Sequence, residues 1–167
     1  LFSCAGIGCY GFKMADWECL ASCELKEKYL EIQKINQKCQ QEEQYICGDI
    51  SLKSTKSQVI NVVKKSLGTR KLDVLMATPP CQGISLANHK KNHKDIERNS
   101  LVIDALTIIR NLSPSVFLLE NVRRFLQTAC LYQDEVVSIE DAIYNHLGEL
   151  YDISSNVINL KDFGNQS

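Results

Sequence analysis

The chain has 167 residues, a formal net charge of −1, 44% hydrophobic residues and eight cysteines. That length fits one ordinary domain, burying about two-thirds of its unfolded surface. The near-neutral charge excludes a global basic footprint, so any nucleic-acid contact must be local. No apolar run approaches the ~20 residues that span a bilayer, and no signal peptide is visible. The chain is too long and too apolar to need a disulfide framework. None of its cysteines forms a Cys-x-x-Cys pair, which argues against a zinc ribbon or thioredoxin-type site. They read as reduced thiols of a cytosolic or nuclear protein. Both ends read as cut, at Leu1-Phe2-Ser3 and at Asp162 to Ser167, so the chain is expected to be part of a larger protein.

Leu1-Phe2 supplies the end of a strand, and Ser3 to Phe12 reads as a glycine-rich turn into a helix. Gly6 and Gly8 permit tight turns and close ligand approach, although a lone Gly-x-Gly is often only a turn. Trp17–Glu24 reads as a second strand ending on an acid. Glu24 lies ~20 residues after the glycine loop, where dinucleotide folds place a ribose-binding carboxylate; it also suits the start of the next helix. Leu25, Tyr29, Ile32, Ile35 and Cys39 recur at helical spacing, predicting an amphipathic helix over 25–39. Tyr45-Ile46-Cys47 is a third strand, followed by Asp49 as a second strand-end carboxylate or a turn cap. Val59, Val62, Val63 and Leu67 mark a helix that Gly68 closes.

Leu72–Met76 reads as a buried strand, stopped by Pro79-Pro80, since neither proline can donate to a ladder. Cys81-Gln82-Gly83-Ile84-Ser85 follows. A thiol on that stiffened loop stands where open α/β sheets bind ligands, although most free cysteines are simply small buried hydrophobes. Asn88 to Lys94 is a basic segment without hydrophobic periodicity, either a phosphate-contacting loop or a solvated one. His89 and His93 are four apart, but no carboxylate motif or helical pattern accompanies them, so no metal site is expected. Leu101, Ala105, Leu106, Ile109 and Leu112 define a helix ended by Ser113-Pro114. Val116–Leu119 is a buried strand delivering Glu120-Asn121-Val122, and a polar pair there needs partners if buried. Val136, Ile139, Ile143, Leu147 and Leu150 give a last helix, and Tyr151 to Leu160 a sixth strand, antiparallel to the rest. This alternation predicts an α/β fold with a doubly wound, mostly parallel sheet. Glu24, Asp49, Cys81 and Glu120 each follow a predicted strand and can converge on one crevice.

In order and spacing these blocks resemble the cytosine-5 DNA methyltransferase family over nearly the whole chain. Phe2 to Gly8 is similar to the family's first cofactor loop, and Glu24 and Asp49-Ile50 to the next cofactor contacts. Pro79-Pro80-Cys81-Gln82 is similar to the catalytic loop, Asn99-Ser100-Leu101 to a further cofactor-side block, and Glu120-Asn121-Val122 to the second catalytic block. The resemblance implies a Rossmann-like, S-adenosylmethionine-dependent fold, incomplete at both ends, and methylation of carbon 5 of cytosine in double-stranded DNA.

Carbon 5 is a poor nucleophile, and thiolate addition at carbon 6 makes it enamine-like. The resemblance gives that role to Cys81. A free thiol with pKa near ~8.5 is only slightly ionised at neutral pH, so nearby cationic groups would help. Glu120 is expected to engage N3 and the exocyclic amine as a protonated acid, which calls for burial. Asn121 is expected to hold Glu120 or the Cys81 loop in place. Gln82 and Ser85 are expected to contact the substrate, and the target base to be flipped out of the duplex. In the cofactor pocket the resemblance puts Glu24 on the ribose hydroxyls and Asp49 on the adenine amine. Phe2, Leu25, Ile50 and Leu101 pack around the adenine, Gly6 and Gly8 form the loop, and Pro80 lines the methyl-donor side.

Cys4 stands where the family usually has glycine, and Leu25 where an aromatic residue commonly stacks. Gly164-Asn165-Gln166 is similar to the block preceding two arginines, neither of which is present. The target-recognition region is also absent, so a complementary chain supplying it is a further expected partner. The expected location is the cytoplasm of a bacterium or the nucleus of a eukaryote. Alternatives are an RNA-directed relative, a non-catalytic remnant or partner subunit, and a generic redox or nucleotide-binding domain.

Overall fold

The computed structural model describes residues 1–81 and 93–164. Gln82, Ser85, His89 and most of the basic segment after Asn88 lie outside the described residues, as do Asn165 and Gln166. The fold is a mixed α/β arrangement built from small parallel and antiparallel sheets. Helix α1 spans Tyr10–Met14, strand β1 Ser22–Glu24, helix α2 Glu27–Ile35 and strand β2 Tyr45–Cys47. Helix α3 spans Lys53–Leu67, strand β3 Val74–Ala77, helices α4 and α5 His93–Asn99 and Leu101–Leu112, and strand β4 Val116–Leu119. An antiparallel pair, β5 Ala129–Tyr132 and β6 Glu135–Ser138, precedes helix α6 Ile139–Leu147.

Strand β1 pairs in parallel with β2, Glu24 opposite Cys47, and β3 pairs in parallel with β4, Ala77 opposite Leu119. The first residues of the chain link the two pairs. The Leu1 ammonium donates to Met76 O at 2.7 Å, Thr78 N donates to Leu1 O at 3.3 Å, and Ser3 N donates to Cys23 O at 3.2 Å. The core is centred on α5, whose Val102, Ala105, Leu106, Ile108 and Ile109 are fully buried. Helices α3 and α6 both pack on it, adding Val59 from one and Ile139, Ala142, Ile143 and Leu147 from the other. Cys23, Ile46, Leu75 and Ala77 bring the strands into the same cluster. Among the described residues no helix is long and apolar enough to cross a membrane.

Helix ends agree with local chemistry. Gly68, at φ 59°, caps α3 with its N–H on Lys64 O, and Ser113, at φ 45°, closes α5 just before Pro114. Ser138 caps α6 by accepting from Asp141 N at 3.0 Å.

Several sequence expectations need correction. Val116–Leu119 is a strand but not a buried one, since Val116 is 50% and Leu118 43% exposed. The last helix does not reach Val136, which lies in β6, or Leu150, which lies beyond its end. Gln133 and Asp134 both adopt left-handed conformations, at φ 51° and 66°, and so close a two-residue hairpin. Residues 151–159 form no strand; Tyr151 instead packs edge-on against Phe117, with ring centroids 5.0 Å apart, and its hydroxyl donates to Pro114 O.

Helix α2 is shorter than expected and buries a different face. Leu25 is 61% exposed, Ile32 is also exposed and Ile35 is 81% exposed, while Leu30 and Gln33 point inward. The periodicity marked an apolar stripe, but packing on β1 and β2 selected the adjacent one. On that basis Leu30→Ala should cost about 2–5 kcal/mol in urea unfolding of the full-length protein. Ile35→Ala, on the exposed face, should stay within about 0.5 kcal/mol.

Candidate functional site

The glycine loop leaves the Leu1–Ser3 linkage in an unusual backbone conformation. Phe2, Cys4 and Gly6 take φ values of 54°, 45° and 86°. Left-handed conformations cost non-glycine residues roughly 1–3 kcal/mol and persist only where the surroundings impose them. Here the surroundings are identifiable. Thr78 Oγ1 donates to Phe2 O at 2.9 Å. Cys4 N donates to Glu24 Oε2 at 2.8 Å, and Cys4 O accepts from Gln33 Nε2. Gly6 needs its missing side chain, because a Cβ at that φ would also come within 3.1 Å of Gln33 Cγ.

Glu24 is thus tied to the loop it was expected to serve. Its second oxygen accepts from Lys26 N at 3.1 Å. An ionised carboxylate offers about four acceptor positions, so two bonds leave capacity for a ligand. Asp49 accepts from Ser51 N and Ser51 Oγ, both on Oδ1, which makes it the cap of the turn after β2. Ile50 is only 5% exposed and belongs to the core, so it has little surface for a ligand. Leu101 is half-buried against the same core. Asn99 and Ser100 stitch α4 and α5 to β5: Asn99 Nδ2 donates to Ala129 O, and Ser100 Oγ accepts from Leu131 N.

At the other parallel pair, Glu120 N donates to Ala77 O at 3.1 Å, which fixes the start of the Glu-Asn-Val block beside the end of β3. Asn121 Nδ2 donates to Pro79 O at 2.6 Å, so the turn after β4 holds the proline segment directly. Glu120 itself is exposed, and the burial that its expected role calls for is not present. Cys81 is half-buried, its Sγ 3.4 Å from Thr128 Oγ1, whose hydroxyl lies 3.0 Å from Arg124 O.

A cavity of about 180 Å3 joins these parts, lined by Ser3, Cys4, Gly8, Met76, Thr78 and Glu120 among others. It brings the glycine loop and the acid after β4 to one space. Of the expected site residues that are described, only Gly8 and Glu120 line it; Glu24, Asp49, Cys81, Asn121 and the residues expected around the adenine do not. The volume is below the ~300–1,000 Å3 usual for small-molecule sites, so it fits part of a ligand. A larger cavity of about 260 Å3, lined by Leu1, Cys19, Val63, Leu72 and Met76 among others, contains none of the candidate acids nor Cys81. We therefore take the smaller cavity as the candidate site. Among the described residues, no group of three or more His, Cys, Asp or Glu side chains is placed to hold a metal.

Three residues of this neighbourhood escaped the sequence reading: Gln33, Thr78 and Thr128. Thr78 sits inside the Ala77–Cys81 stretch, and its position after a strand was a usable signal. The other two act across ~30–50 residues of chain, without a local pattern.

A family model described as "C-5 cytosine-specific DNA methylase" matches residues 1–166. The Type II methyltransferase M1.HgaI of Avibacterium volantium is 28% identical over 98% of this chain and 45% of its own length. M1.HphI of Haemophilus parahaemolyticus is 28% identical over 98% of the chain and 41% of its own, and M.HindV of Haemophilus influenzae 31% over 92% and 46%. The chain thus spans less than half the length of these relatives. No solved structure gave a significant match.

Thr78→Val removes the hydroxyl from Phe2 O at nearly constant shape. It should lower stability by about 0.5–1.5 kcal/mol in urea unfolding, and Thr78→Ser should retain most of the wild-type value.

Proposed function

Because this chain belongs to the C-5 cytosine-specific DNA methylase family, we propose that it is the cofactor-binding, catalytic part of a DNA (cytosine-5) methyltransferase. The observation that carries the proposal is the cavity shared by the glycine loop and Glu120, in a chain whose blocks follow the family order. The two parallel pairs, linked through Leu1–Ser3, are proposed to be parts of one doubly wound sheet. Residues 1–167 then form the catalytic half, and target recognition belongs to chain outside it or to a complementary subunit.

S-adenosylmethionine, when bound, supplies an activated methyl group. The residues that would hold it are the loop from Phe2 through Gly6 and Gly8, Glu24 on the ribose hydroxyls and Asp49 on the adenine amine. Spare acceptor capacity on Glu24 fits that assignment. Leu25 offers exposed apolar surface beside Glu24, Ile50 supports the Asp49 turn from within the core, Leu101 packs behind, and Pro80 lines the reacting side.

Cys81 adds to carbon 6 of a flipped cytosine, and Glu120 holds a proton at N3, so that electron density reaches carbon 5. Carbon 5, made nucleophilic in this way, would take the methyl group the cofactor supplies. Loss of its proton to a base then expels the Cys81 thiolate, and return of the N3 proton to Glu120 restores the ring. Glu120 is exposed in the chain alone, so in this mechanism the burial that keeps it protonated comes from the entering base. Asn121, bonded to Pro79 O, limits how far the nucleophile's loop can drift from Glu120. Gln82 and Ser85 would contact the base or its backbone. Double-stranded DNA is the proposed substrate.

The test uses the full-length protein, duplex DNA and methyl-labelled S-adenosylmethionine, with tRNA in parallel. Label should enter DNA and fall to background in Cys81→Ser. Label in tRNA alone, or undiminished transfer by Cys81→Ser, would overturn the proposal. Glu120→Gln should lower turnover by about 10²-fold or more while leaving cofactor affinity within about twofold. A duplex carrying 5-fluorocytosine should trap a covalent adduct, and peptide mapping should find it on Cys81.

A further inference from the structure

Gln33 is a fully buried polar side chain on α2, and every polar atom of its amide is committed. Its Nε2 donates to Ser3 Oγ at 2.8 Å and to Cys4 O, while its Oε1 accepts from Ser22 Oγ at 2.6 Å. Ser22 Oγ in turn accepts from Lys38 Nζ at 3.1 Å and lies 2.8 Å from Ser3 Oγ, whose single proton goes to Ser22 Oγ or to Cys23 O at 3.3 Å. Cys4 O can only accept, which fixes the amide orientation; Ser22 must then give its single proton to Oε1. The network converges on one residue. Cys4 is an exposed residue held at φ 45°, with Glu24 on its N–H and Gln33 on its C=O.

We propose that Gln33 is a positioning residue for the cofactor loop: it clamps Cys4 in the left-handed conformation that shapes the ligand-facing side of the loop. This rests on the reading of the loop as the S-adenosylmethionine site. Cys4 stands where the resemblance expects glycine, and glycine takes a positive φ without a clamp. In this chain the side chain of α2 replaces what a glycine would supply. Gln33 does not act on the reacting atoms, so its loss belongs to cofactor binding and not to chemistry.

The experiment compares wild type, Gln33→Met and the double variant Gln33→Met with Cys4→Gly, all in the full-length protein. Hydrogen exchange is followed without cofactor, and S-adenosylmethionine affinity by calorimetry. Gln33→Met should speed exchange at residues 3–6 by about tenfold and weaken cofactor affinity about tenfold, with kcat at saturating cofactor within about twofold. Cys4→Gly in that background should recover most of the affinity. If Gln33→Met fails to fold, Gln33→Glu keeps the shape and the acceptor for Ser22 but has no N–H for Cys4 O, and carries the same comparison. Unchanged loop exchange would overturn the proposal. So would a loss shared equally by kcat and affinity with no recovery from Cys4→Gly, since that describes a merely structural residue. If the wild type binds no S-adenosylmethionine yet Gln33→Met still loosens the loop alone, the positioning role stands and the cofactor reading falls.

Discussion

The structure depends on the backbone of Leu1–Ser3, which bonds to β3 through Met76 and Thr78 on one side and to β1 through Cys23 on the other. Each parallel pair taken alone is a two-stranded ribbon, and such ribbons are marginal in water. The link bridges the two pairs by backbone hydrogen bonds, and the glycine loop that follows it shares a cavity with Glu120. Glu24 ends one pair; Ala77 and Glu120 end the other.

The same link explains why strain is tolerated next to it. Phe2 and Cys4 both hold positive φ, which is costly for residues with side chains. Each is held by groups from distant parts of the chain: Thr78 on Phe2 O, and Glu24 and Gln33 on Cys4. A rigid sheet edge supplies Thr78 and Glu24, and a helix packed on β1 and β2 supplies Gln33. The loop's shape is therefore a property of the tertiary fold and not of its own sequence. A glycine pattern alone is for that reason a weak predictor of what such a loop does.

This separates what was legible in the sequence from what was not. Strand ends, Gly68 and Ser113-Pro114 were readable because their causes are local: a run of apolar residues, a helix-terminating glycine, a proline that cannot continue a helix. That Glu24 and Glu120 follow strands of parallel pairs was readable too, from the apolar residues before them. The hairpin at Gln133-Asp134 was hidden, because neither residue is glycine and Val136 falls at helical spacing with Ile139 and Ile143. Gln33 was hidden for a stronger reason. A buried amide satisfied by two other segments looks, in sequence, like a solvated helix position. The buried face of α2 was misassigned for the same reason, since the apolar stripe through Ile32 and Ile35 looked the better candidate.

The cysteines show how little composition says about chemistry. Burial pushes the Cys23 and Cys130 thiols up to about 11, so both are neutral packing residues at physiological pH. Cys19 is the opposite case. A hydrogen bond from the Cys39 thiol, 3.4 Å away, with Lys38 nearby, lowers the Cys19 thiol, and Cys39 is raised correspondingly. Thiolate character is only half of what a nucleophile needs. Cys19 lines the larger cavity, away from Glu120, the carboxyl group that would hold a proton for the reacting base. Cys81 follows the proline segment that Asn121 bonds, four residues after the end of β3, beside which Glu120 N donates to Ala77 O. Its proposed role rests on the block Pro79-Pro80-Cys81-Gln82, since Cys81, like Cys19, does not line the cavity that Glu120 lines.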